Sequence, residues 1–101
     1  MTDILARIAF SGEVVEWRGP APFLFVPIPE EHVAELRFAA REASYGWGCV
    51  PVTARIGETE FVTSLFPRGE TYFLPVKVAV QRAEQVSIGD RVGAAITVRR
   101  A

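Results

Sequence analysis

The chain has 101 residues, half of them hydrophobic, with eleven basic and twelve acidic side chains and a net charge of −1. That length makes one domain, 1–101, which buries roughly two-thirds of its unfolded surface, so a disordered or disulfide-dependent chain is excluded. One Cys and one His leave no internal disulfide and no Cys/His zinc site within a chain, and the interleaved charges give no basic stripe for nucleic acid.

The opening MTDILARIAF has no basic head followed by an apolar run, and no stretch reaches the ~18 apolar residues of a membrane span. The expectation is no membrane association and a cytoplasmic location. From Leu5 to Val15, Ile8, Phe10 and Val14 alternate with Arg7, Ser11 and Glu13, which predicts a half-buried strand. Gly12 inside it marks a bulge or a close backbone approach. Trp17 to Pro22 reads as a loop by its Gly and Pro content. Phe23 to Ile28 is apolar on both faces and reads as a strand covered on both sides.

Pro29-Glu30-Glu31 opens a helix from Glu30 to Ser44. Its acidic residues come first and Arg37 and Arg41 later, as the helix dipole favours. Val33, Leu36, Ala40 and Ala43 form its apolar stripe, and Phe38 points away from it. Tyr45 to Gly48 is a loop. Val50 to Ile56 and Phe61 to Phe66 form a hairpin around Gly57-Glu58-Thr59. In the second of these strands Phe61 and Leu65 share one face and Val62 and Phe66 the other. One of these faces can line a barrel interior while the other lies under a helix. After a turn at Pro67–Glu70, Tyr72 to Leu74 is a short strand. Pro75 suits the start of a second helix, whose stripe is Val76, Ala79, Val80 and Ala83. Ser87-Ile88-Gly89-Asp90 is a tight turn, with the Asp90 carboxylate expected to bond a backbone N–H two residues on. Arg91 to Arg99 alternates cleanly, with Val92, Ala94, Ile96 and Val98 on one face. The fold class is therefore mainly β, a small closed or split β-barrel of about six mostly antiparallel strands with two helices.

Several short motifs occur in a fixed order: Trp47-Gly48-x-Val50-Pro51-Val52, TSLFP (Thr63 to Pro67), LPVK (Leu74 to Lys77), the helix after it, and Gly89-Asp90 before the closing strand. In this order, over residues 8 to 98, the chain resembles a small bacterial family of β-barrel proteins catalogued as a domain of unknown function. Some of its members are fused to a bacteriocin-protection-type domain. The resemblance implies a pseudo-barrel of split hairpins capped by helices, akin to transition-state regulators and antitoxins. Gln81 stands where that family often has Arg, and Gln85 where it often has Gly. The latter asks a non-Gly residue to end the helix.

Lys77 opposes the dipole of the second helix from its first turn, and a local rule broken in this way can mark a site. An anion on the free N–H groups there would make Lys77 a partner, with Arg68, Thr63, Ser64 and Tyr72 close by if the preceding hairpin folds back beside the helix. The alternative is a solvated Lys77 and an Arg68 that decorates a turn. No catalytic residue, metal ligand or cofactor is expected. His32 has no reacting partner by spacing, and Cys49 reads as a buried, inert thiol. Asp90 is explained by its turn and Glu58 and Glu60 by a solvated hairpin. Trp17, Tyr45, Trp47 and Tyr72 either pack or line a flat pocket. The leading reading is a binding module for a small anionic ligand or a partner segment, with homodimerisation through apolar surface or strand edges. The alternatives are a small enzyme on Lys77, Arg68, Ser64 and Tyr72, or a nucleic-acid-associated regulator by fold analogy.

Overall fold

Strand alternation decides which way each side chain faces, and the computed structural model, which describes residues 3–17, 23–43 and 48–100, carries that alternation through. The elements run β1 (Ile4–Glu13), β2 (Val15–Trp17), β3 (Phe23–Pro27), a 3-10 turn (Glu30–His32) leading into α1 (Val33–Ala43), β4 (Val50–Ile56), β5 (Thr59–Arg68), β6 (Thr71–Val76), α2 (Val78–Glu84) and β7 (Arg91–Arg99). The strands form one antiparallel sheet, ordered β1-β7-β4-β5-β6-β3-β2 and curved into a half-barrel. The inward faces, with Ile8, Val26, Val52, Leu65, Leu74 and Ile96 among them, meet in one core. Helix α1 lays Leu36, Ala39, Ala40 and Ala43 on β1, β4 and β7. Its predicted stripe is buried, and Phe38 is exposed as expected.

The two strands at the ends of the sheet, β1 and β2, are consecutive in the chain. They meet at Val14, which is fully buried. Its N–H donates to the Asp90 carbonyl at 2.8 Å and its own carbonyl accepts the Gly89 N–H at 2.8 Å. Before the joint the chain pairs with β7; after it, with β3. Gly12 is needed for this change of partner, because a Cβ there would stand 2.7 Å from Val26 Cγ1 and 3.1 Å from the Pro27 carbonyl. The joint turns the expected single strand Leu5–Val15 into two strands. It also brings Trp17, expected in a loop, into β2.

Four prolines mark the stagger of the sheet. Pro27 lies past the stretch where β3 pairs with β2, Pro51 outside the pairing of β4 with β7, Pro67 past that of β5 with β4, and Pro75 past that of β6 with β5. Each therefore sits where its strand has one neighbour only, which is where a missing N–H is tolerated.

Pro75 accordingly belongs to β6, and the second helix starts later than expected, at Val78 with Lys77 as its N-cap residue. Of the anticipated stripe, Val76 is buried as part of the strand and Val80 from the helix, while Ala79 and Ala83 are exposed. The ladder to β3, pairing Leu24 with Val76, holds the backbone extended past Pro75 and shifts the helix phase. Gln81 Nε2 donates to the Val76 carbonyl at 2.8 Å across this junction. The helix ends on Gln85 at φ 53°, in the left-handed region expected of it, with Val86 N–H bonded to the Gln81 carbonyl. Glu84 is held by the Thr59 hydroxyl at 2.6 Å. Val62 does not lie under a helix; it is 68% exposed. Asp90 accepts the N–H of Ser87, three residues before it, instead of one further on. Cys49 is half-buried.

Gln85→Gly removes the left-handed strain and should stabilise the fold by about 1 kcal/mol, seen as a melting temperature several degrees higher. Gly12→Ala should destabilise it by about 1–3 kcal/mol in urea titrations, because the fully buried Val26 has nowhere to move.

Candidate functional site

The outward face of β2, β3, β6 and β5 is apolar as well as the inward one. Register explains which side chains meet there. Directly opposed residues share a face, so the pairs Trp17 with Phe23, Phe25 with Pro75, Pro27 with Phe73, Phe66 with Phe73 and Arg68 with Thr71 place one layer on the outside. Phe25 is its centre. It meets Phe66 edge-on at 4.9 Å and 85°, with Phe73 at 5.9 Å and Phe23 at 6.2 Å. Edge-to-face contact brings a ring's positive edge to another's negative face, which favours such pairs. Phe25 is only 5% exposed, yet it stands apart from the main core; its neighbours in the layer cover it.

Trp17 and Phe23 border the layer and stay open, at 36% and 55% exposure. The Arg68 guanidinium lies over the Trp17 ring, 3.5 Å from its centroid, and 6.0 Å from that of Phe73. A cation over an indole face is worth about 0.5–1 kcal/mol at an exposed position. Held by its flat side, a guanidinium keeps its in-plane N–H groups for a carboxylate or phosphate. Trp17, Phe23, Phe25, Phe66, Arg68 and Pro75 line an open groove of about 380 Å³. This is a platform for flat or aliphatic groups with one anion-binding corner.

The other residues anticipated from sequence lie elsewhere. Lys77 Nζ donates to the Val62 carbonyl at 2.6 Å. Thr63 and Ser64 are successive on β5 and face opposite sides, across from Val52 and Pro51. Tyr72 is 9% exposed and belongs to the core. Arg68 is six positions along β5 from Val62, about 20 Å at strand rise. The five residues do not meet in one corner, and only Arg68 reaches the groove. Of the four large aromatics, Trp17 joins the platform and Tyr72 the core; Tyr45 and Trp47 lie outside the described residues. Sequence reasoning missed Phe23, Phe25, Phe66 and Phe73 as a group. The available signal was that the strands of Phe23 and Phe66 are apolar on both faces.

Residues 10–96 match the family model described as domain of unknown function DUF1905. The chain belongs to the DUF1905 family. The match runs from the second half of β1 to the middle of β7 and so includes the joint at Val14 and the whole platform. No curated protein matches the chain. Among the described residues no helix is long and apolar enough to cross a membrane.

Phe25→Ala should cost about 3 kcal/mol in urea unfolding and Phe23→Ala well under 1, since the first ring is enclosed and the second open. Equal losses would mean that the layer is not stacked as described.

Proposed function

We propose that this DUF1905 domain is a non-catalytic binding module whose aromatic platform takes an extended, apolar protein segment bearing a carboxylate for Arg68. The observation that supports it is the open Trp17–Phe23 border with Arg68 stacked on the indole. Trp17 and Phe23, open to solvent at the border of the layer, add little to the protein's own packing. Exposed apolar patches on soluble proteins mark binding surfaces, and Trp, Tyr and Arg are the residues that dominate binding energies. An extended segment suits the groove because aromatic-lined surfaces bind stiff, extended chains at low entropic cost.

Magnitude sets the kind of complex. Covering the open parts of Trp17 and Phe23 removes about 200 Å² of apolar surface from water, about 5 kcal/mol before association costs. Those costs are of similar size, so the platform alone gives a transient complex and the Arg68 pair sets its orientation. The alternative of an enzyme on Lys77, Arg68, Ser64 and Tyr72 draws no support from the geometry, because Tyr72 faces inward and Arg68 and Lys77 stand at opposite ends of the hairpin.

Selection from a displayed peptide library tests the proposal. Enriched peptides should combine apolar residues with Asp or Glu. They should lose roughly tenfold in affinity against Arg68→Ala and all measurable binding against Trp17→Ala/Phe23→Ala. Selected peptides that bind the double variant as well as the unaltered domain would refute it.

A further inference from the structure

Lys77 is the only lysine in the chain; the other ten basic residues are arginines. Three of them come together on the outward face of the other half of the sheet. In the β1–β7–β4 register, Arg7, Thr97 and Thr53 form one row across three strands, and Ala95 and Arg55 stand in the next. Arg99 lies two residues beyond Thr97 on the same face of β7, and its Nη1 donates to Thr53 Oγ1 at 3.1 Å. Arg7, Arg55 and Arg99 line one groove of about 400 Å³ with Thr53, Thr97, Ala95 and a single acid, Glu60. Among the described residues, none of these three arginines forms an ion pair; Arg100, beyond them, pairs with Asp3 and Glu42. Glu60 faces Arg55 across the β4–β5 ladder without closing on it. An exposed pair of that kind would be worth at most about 1 kcal/mol and would not neutralise three cations.

We infer that this groove is a binding site for a small molecule bearing a diphosphate. Three like charges with only one carboxylate among them repel one another, and an anion relieves the repulsion. Guanidinium forks bind phosphate oxygens in pairs, and the hydroxyls of Thr53 and Thr97 add neutral donors on the floor between them. Adjacent strands lie about 4.8 Å apart, so Arg7 and Arg55 flank a gap of about 10 Å that one phosphate does not fill and two do. Ala95 at the centre leaves the floor low enough for the ligand to sit between the side chains. The site is bounded: Arg91 stands opposite Glu13, and Arg100 is taken by its two carboxylates. A patch of this extent fits a small ligand and not the long basic track that a nucleic acid backbone needs. The inference is independent of the aromatic platform, which occupies the other half of the sheet.

Calorimetric titration of the full chain with inorganic pyrophosphate is the test. Saturable binding is expected, weakened roughly tenfold or more by Arg7→Ala and by Arg99→Ala, and several-fold by Arg7→Lys, which keeps the charge and loses the fork. Glu60→Gln should tighten binding, a change that a merely destabilised fold would not produce. Thermal melts of the ligand-free variants check that the exposed substitutions leave the fold intact. The inference is overturned by no saturable heat at millimolar pyrophosphate, by affinities unchanged in Arg7→Ala and Arg99→Ala, or by tighter binding of a short DNA duplex through the same arginines.

Discussion

The structure depends on the joint at Val14. A sheet of seven strands with free ends would leave half of its core open, but here both ends belong to one stretch of chain. The change of partner from β7 to β3 takes place within a few residues. The Val14 N–H and carbonyl are both satisfied by the Ser87–Asp90 turn, so a fully buried backbone group loses nothing by leaving the ladder. The turn is held in its own right by the Asp90 carboxylate on the Ser87 N–H and by positive φ at Gly89. Joint and turn thus fix each other, and the close approach at Gly12 lets β1 lie against β3.

From this follows the division of the outer surface. The interior is filled mostly with aliphatic side chains contributed by all the long strands, with Phe10 and Tyr72 among them, and α1 covers it. The outward face then differs between halves. Around β3, β5 and β6 it is aromatic, with Arg68 at its border; around β1, β4 and β7 it is a floor of small residues and threonines among arginines. The first is suited to a segment with a hydrophobic face, the second to concentrated negative charge. On the two readings proposed, a partner segment and a small anion would occupy separate halves of one outward surface.

Much of the fold is legible in the chain. Alternation in Arg91–Arg99, the stripe of α1 and the strained end of α2 at Gln85 all follow from side-chain chemistry and spacing. The start of α2 does not, because Pro75 suits a helix start and a one-neighbour strand equally well, and pairing with β3 decides between them. The sites are less legible for a related reason. Phe25, Phe66 and Phe73 are far apart in sequence and become neighbours only through register. Arg7, Arg55 and Arg99 are interleaved with acids along the chain, yet the sheet sorts them onto one face. A net charge of −1 therefore carries no information about local charge. Lys77 reads in the sequence as a cation at a helix start, and in the fold its ammonium donates to a strand carbonyl, that of Val62.

The central claim, that the sheet is held together by a bonded joint and not by an open loop, is tested most directly by amide hydrogen exchange at single-residue resolution. The Val14 and Gly89 amides should exchange as slowly as those of the core strands at Ile8 and Ile96, because all four would open only with the whole fold. Rapid exchange at Val14 and Gly89, with Ile8 and Ile96 still protected, would contradict it.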